Sequence, residues 1–228
     1  ISNVSVAIKS RIKMELKANI NFYKSRNLRH AVANFTYAGD GIVTSHYLPF
    51  DYLRFQKAFN ESFEFIPEKY QSLRQIQWRL SILIWAFEHT QKLKGDIVEL
   101  GVWYGVLSKS LLNYFKDLNT RTFFLFDSWG QPDFQMQGVY KKNSYLEDIY
   151  DTVKLRFTEK NVKLIRGILP ESLQPHLPNY ISLLMIDLNS GKLEGEVLKL
   201  CWSQILPGGV IYFDDYGQDF PEVRNAIR

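Results

Sequence analysis

The alternation of apolar and polar positions changes character at Asp96. Beyond it, short apolar runs alternate with stretches of helical period, the pattern of βαβ units and a parallel sheet. Strands are predicted at Asp96–Leu100, Thr122–Asp127, Val162–Arg166, Ile181–Asp187 and Gly209–Asp215. Helices are predicted between them at Val106–Lys116, Ser144–Glu159, Pro170–Gln174 and Leu193–Gln204. The polar run 130–142, with its Gly and Pro, reads as a loop over the strand ends. The expected fold class is α/β, a Rossmann-like, mostly parallel sheet with flanking helices, preceded by a helical N-terminal segment.

Before Asp96 the period is helical. Pro67 opens a block through Tyr70, Leu73, Ile76, Leu80, Leu83, Ile84 and Phe87 to a stop at Lys92–Gly95, expected to cover one face of the sheet. Residues 31–50, with Gly39, Gly41 and Pro49 among aromatics, read as a loop. In the leader, Ile8, Ile12, Leu16, Ile20 and Tyr23 recur at helical spacing among lysines and arginines. Such a helix packs on its own domain or on a second subunit, giving a homo-oligomer, or lies on a membrane surface. The division expected is therefore 1–94, an N-terminal helical segment or lid, and 95–228, the α/β domain.

Charge refines this picture. Residues 1–30 hold seven basic side chains against one acid, Glu15, so 21 basic and 23 acidic residues remain for everything after His30. The net charge of +4 thus belongs to the leader. A nucleic-acid binder needs its positive face on the folded body, so no nucleic-acid partner is expected. Cys201 is the sole cysteine, which excludes an internal disulfide and a cysteine-rich zinc site, and its apolar neighbours mark it as a buried small hydrophobe. A reducing, cytoplasmic location is the default. No apolar run reaches the roughly 18–20 residues of a transmembrane segment. The chain begins at Ile1 and stops at Arg228 inside a helical pattern, so both ends read as cut from something longer.

In a sheet of this kind ligands gather beyond the carboxyl ends of the strands. Four of the five predicted strands carry acids there: Glu99, Asp127, Asp187, and the pair Asp214 and Asp215. The first turn reads DIVELGVWYGVLS. Gly101 and Gly105 permit a sharp turn and close backbone approach, the helix start offers free N–H groups, and Ser108 adds a hydroxyl. Glycines at such turns also serve packing alone. The dinucleotide pattern G-x-G-x-x-G fails, because Trp103 holds its middle glycine position. Glu99 repels a pyrophosphate but suits an ammonium group, which favours a ligand combining an amino acid with a nucleoside over NAD. Asp127 is placed to accept both hydroxyls of a ribose, or else to cap the following turn together with Ser128.

Taken in order, DIVELGVWYG, FLFDSWG, VKLIRGILPESL, LLMIDLNS and LPGGVIYFDDYG resemble the macrocin O-methyltransferase family over about residues 70–228. These are class I enzymes that use S-adenosylmethionine (SAM) to methylate sugar hydroxyls of natural products. The resemblance implies that Glu99, Gly101, Gly105 and Ser108 hold the methionine end of SAM, Asp127 and Ser128 the ribose, and that Gly167 lies near the adenine. It implies a magnesium ion on Asp187, Asp214 and Asp215, with Asp187 also as general base. Hard oxygen donors of this number suit Mg2+, which orients substrate oxygens and acidifies a hydroxyl. Two departures stand out: Asn189 replaces the family's second acid and the SGKLEG stretch replaces the residues that follow it, and the two closing strands of the family domain are absent, leaving it C-terminally incomplete.

His30, His46, His89 and His176 show no ligand spacing, and His46 with Tyr47 is a candidate substrate lid. The function expected is a SAM-dependent O-methyltransferase acting on a small-molecule hydroxyl acceptor. The alternative is a non-catalytic SAM-binding module within a larger assembly.

Overall fold

The computed structural model describes residues 36–38, 42–44, 52–115, 120–130, 147–216 and 221–227. The leader helix, His30, His46, Tyr47 and the loop over 131–142 lie outside the described residues. The chain divides into two compact units, Ile1–Leu48 and Pro49–Arg228.

In the first unit, β1 (Thr36–Ala38) pairs antiparallel with β2 (Ile42–Thr44), Thr36 opposite Thr44. This corrects the expectation of a plain loop over 31–50. Thr36, Ile42, Val43 and Thr44 are β-branched and Tyr37 is aromatic, residue types that fit a pleated surface.

The second unit opens with α1 (Tyr52–Phe63), an element not anticipated from the sequence. Its apolar face repeats at four-residue spacing: Phe55, Phe59 and Phe63 are all buried, and the helix packs against the later helix Val106–Tyr114. The block after Pro67 divides into a 3₁₀ helix, Glu68–Ile76, and α2 (Gln77–Thr90). Nothing in the sequence marks that division.

Five parallel strands follow: β3 (Asp96–Leu100), β4 (Phe123–Asp127), β5 (Val162–Arg166), β6 (Ile181–Ile186) and β7 (Ile205–Phe213). Their order is β5-β4-β3-β6-β7. The chain winds outward from β3 through β4 to β5, then returns to the other side of β3, so the order reverses between β3 and β6. The strand ends agree with the expected ones to within a residue except in β7, which begins at Ile205; Ile181 pairs with Ile205 and Leu183 with Val210, an irregular register. The connecting helices are α3 (Val106–Tyr114), α4 (Tyr150–Arg156) and α5 (Gly191–Cys201), and α6 (Pro221–Ile227) packs on α5. At the expected helix Pro170–Gln174 the chain makes turns and a 3₁₀ segment, Gln174–His176.

The core explains this layering. Val98, Leu100, Phe124, Phe126, Leu184 and Ile186 pack with Val197 and Cys201 of α5 on one side of the sheet. The intervening residues Ile97, Phe123, Leu125, Leu183 and Met185 are buried as well, so both faces are covered, as a parallel sheet requires. The result is an α/β, doubly wound Rossmann-like domain. Among the described residues no helix is long and apolar enough to cross a membrane.

Candidate functional site at the strand switch point

The seam between β3 and β6 is held by close backbone contact. Asp187 N–H donates to the Leu100 carbonyl at 2.9 Å, while on the other side of β3 Gly101 N–H donates to the Phe126 carbonyl of β4 at 2.9 Å. Gly101 has φ +85°, and a Cβ there would overlap the Asp187 carbonyl oxygen. Gly105, at φ +73°, precedes α3, and a Cβ would run into the Phe157 ring. The first glycine therefore lets the loop after β3 meet the end of β6, and the second lets Phe157, just past α4, close on the loop from outside.

Asp127 organises the same loop. Its Oδ2 accepts the N–H groups of Val102 and Trp103, both at 2.8 Å, and its Oδ1 accepts that of Trp129 at 2.7 Å. The Trp129 bond is the turn cap that the sequence left open as an alternative to ribose binding. The bonds to Val102 and Trp103 are a further use that sequence reasoning missed. Burial raises the Asp127 carboxyl, opposed by those backbone donors. Gly167 joins the arrangement: its N–H donates to the Asp127 carbonyl at 3.0 Å, and a Cβ would strike Ser172. Ser128 follows Asp127 and is half-buried.

Glu99 and Ser108 form a buried pair in which the hydroxyl donates to Glu99 Oε2. Desolvation pushes the Glu99 carboxyl up to about 8; Ser108 pulls it down, and the charges of Asp127 and Asp214 add to the rise. A neutral Glu99 ionises readily once a cation lies beside it.

On the other side of the seam, Asp187, Asp214 and Asp215 each offer an oxygen, and these atoms lie within 4.8 Å of one another. Asp214 and Asp215 are buried, Asp187 half-buried. Burial, followed by the charge of Asp214, holds the Asp187 carboxyl well above its ordinary range. Asn189 Nδ2 donates to Asp187 Oδ1 at 3.3 Å. Among the described residues, three that are not glycine adopt left-handed backbone, Trp103 (φ 50°), Trp129 (φ 44°) and Asn189 (φ 54°), one in each loop after β3, β4 and β6. Such strain collects at functional sites.

Two residues of this region were not found from the sequence. Arg79 of α2 places Nη1 2.6 Å from Asp214 Oδ2 and 3.7 Å from Asp187 Oδ2. The available signal was its being the only lysine or arginine in the apolar α2. Glu194, in the first turn of α5, is fully buried and accepts Leu188 N–H at 3.4 Å; desolvation pushes it up to about 7. Hard carboxylate oxygens converging from two strand ends are a donor set that fits Mg2+.

His89 stacks on Trp85 and His176 Nδ1 lies 3.0 Å from the Ser172 carbonyl oxygen, so neither belongs to the cluster. Cys201 is buried, and desolvation pushes its thiol up to about 12. That makes it a core residue and a poor nucleophile.

Among solved structures, the O-methyltransferase NovP matches with a TM-score of 0.55 and 23% identity, over 65% of this chain and 69% of that one. CalS11, a calicheamicin methyltransferase, matches with a TM-score of 0.49 and 17% identity, over 87% of this chain and 90% of that one. At these identities the NovP likeness establishes the fold. No curated protein matches the chain. A family model described as "Methyltransferase domain" matches residues 98–216, a span that begins in β3 and takes in the glycine turn, Asp127 and all three clustered acids. That is 119 of 228 residues, more than half, and the chain belongs to this methyltransferase family, whose methyl donor is SAM.

Proposed function

We propose that the chain is a SAM-dependent O-methyltransferase of the macrocin O-methyltransferase type, acting with Mg2+ on a hydroxyl of a small sugar or natural-product-like acceptor. The observation that carries this reading is the convergence of Asp187, Asp214 and Asp215 beside the glycine turn, at the same strand edge. NovP, itself an O-methyltransferase, is in line with it.

Residues 95–228 form the cofactor domain in this reading. Glu99 and Ser108 with Gly101 and Gly105 bind the methionine end, where the ammonium draws Glu99 into its charged form. Asp127 and Ser128 take the ribose, Asp127 sharing its oxygens between hydroxyls and the loop N–H groups it already accepts. Gly167 borders the adenine. SAM supplies an electrophilic methyl group on a sulfonium. Asp187, Asp214 and Asp215 would hold a divalent cation, which would supply acidification of a hydroxyl beside it. Asp187 would take the proton from that hydroxyl. Alignment of acceptor oxygen and methyl group supplies the rest.

Calorimetry with SAM and S-adenosylhomocysteine, with Mg2+ or with chelator, followed by methyl-transfer assays on a panel of glycosylated and polyol acceptors, tests the proposal. Both ligands are expected to bind, and transfer is expected only with the metal. Binding of SAM with no transfer to any acceptor favours the non-catalytic module. Transfer that is unaffected by chelation removes the metal from the scheme.

A further inference from the structure

The acid cluster already meets a cation of the chain's own. Arg79 reaches it from α2, a helix that precedes the sheet in sequence and packs against β6 and β7. Its side chain is 11% exposed, and Nη1 stands between Asp214 Oδ2, at 2.6 Å, and Asp187 Oδ2, at 3.7 Å. The other oxygen of Asp214 is engaged too, since Tyr212 OH donates to Oδ1 at 2.6 Å. A magnesium ion requires oxygens at about 2.0–2.1 Å in a near-octahedral shell. Asp214 offers it such an oxygen at Oδ2 only by giving up the guanidinium, because a dication and Arg79 cannot share so small a space without strong repulsion.

We propose that Arg79 is a built-in competitor for the divalent cation, so that the cluster alternates between an arginine-held and a metal-held state. The inference rests on the cation reading of Asp187, Asp214 and Asp215. Its consequence is regulatory: the acids are neutralised in part when no metal is present, and apparent metal affinity is set by the position of α2. Whatever draws α2 away from the sheet edge tightens metal binding, and whatever presses it down weakens it.

The test measures Mn2+ binding by electron paramagnetic resonance, and Mg2+ by competition, in the unmodified chain, Arg79→Gln and Asp187→Asn. Arg79→Gln should bind Mn2+ at least tenfold more tightly than the unmodified chain, and Asp187→Asn more weakly. Binding that Asp187→Asn abolishes but Arg79→Gln leaves equal or weaker overturns the competitor and leaves the cation reading intact. Absence of Mn2+ binding in both the unmodified chain and Arg79→Gln sinks the cation reading and the competitor together. Should Arg79→Gln fold poorly, the unmodified chain supplies its own readout. Mg2+ should release a protected guanidinium signal in nitrogen-15 spectra, and the persistence of every protected arginine signal at saturating Mg2+ overturns the exchange.

Discussion

The two sides of the strand switch point carry similar numbers of acids but treat them differently. On the β3 and β4 side, each carboxylate is answered by neutral donors: Ser108 for Glu99, and three backbone N–H groups for Asp127. On the β6 and β7 side, Asp187, Asp214 and Asp215 also face one another; Asn189 and Tyr212 donate to Asp187 and Asp214, and the guanidinium of Arg79 reaches the same two. Burial raises acids on both sides, but for Asp187 the charge of Asp214 is the next largest cause, whereas for Glu99 the next is a hydrogen bond that opposes the rise. Neutral donors fix a shape and leave little charge for a ligand to meet. Mutually facing carboxylates keep negative charge in a poorly solvated place, which a divalent cation relieves. One side reads as the mould of the cofactor loop and the other as the seat of chemistry.

The largest effect that can break this contrast is expected at Asp187. Asp187→Asn removes one negative charge and the proposed base while keeping the side chain's shape, so methyl transfer should fall by about 10²–10⁴-fold. Cofactor affinity should change little. Asp127→Asn should do the reverse, weakening SAM binding and thermal stability while the Mn2+ affinity of the cluster stays unaltered. Paired calorimetry and turnover assays on the two variants decide the matter. Equal losses of cofactor affinity in both would mean that the two sides act as one site.

A smaller effect is expected at the seam itself. Gly101→Ala sets a methyl group against the Asp187 carbonyl at a backbone angle of φ +85°, and both strand ends must shift to admit it. The cost should be about 2–4 kcal/mol, read by chemical denaturation. Gly208→Ala has nearly the same angle, φ +84°, with nothing within 4 Å of the added carbon, so it should cost only about 1 kcal/mol of backbone strain. A similar loss at both positions would show that the angle matters and the contact between β3 and β6 does not.

What could be read in advance follows the same division. Short apolar runs bounded by turns located the strands because a buried parallel strand has no other composition, and the acids at their ends followed directly. The hairpin was hidden by Gly39 and Gly41, whose turn signal outweighed three-residue strands. Helix α1 shows a clear Phe55–Phe59–Phe63 spacing but stands outside the alternating pattern that drew attention to the sheet. Arg79 was not legible because its significance is a distance: nothing in residues 77–90 says that position 79 meets position 214, which is 135 residues away. The role of Asp127 was half legible, since a strand-end acid is visible in sequence while the direction of the N–H groups at Val102 and Trp103 is not.

The smallest effect concerns protons and separates the two sides by pH. Glu99 is raised from 4.5 to about 8 and Glu194 from 4.5 to about 7, both chiefly by desolvation. In the unfolded chain these carboxyls lose their protons by about pH 5; in the folded chain Glu194 keeps its proton to about pH 7 and Glu99 to about pH 8. Over that window the folded state binds more protons than the unfolded one, so stability is full below about pH 4.5 and declines as pH rises through 7 and 8. Glu99→Gln cannot ionise and still accepts the Ser108 hydroxyl, so its melting temperature should fall less than that of the unmodified chain as pH rises above about 5, by a margin that grows until about pH 8 and stays at that size above it. For Glu194→Gln the margin should already be complete by about pH 7. Mg2+ should then act selectively, reducing the pH dependence that comes from the β6 and β7 acids and leaving the difference made by Glu99→Gln in place. Melting curves at unit pH steps, with and without Mg2+, would reveal it. If the cation erased the contribution of Glu99 as well, its carboxyl would belong electrostatically to the acid cluster, and the line between mould and chemistry would have to be redrawn on the far side of β3.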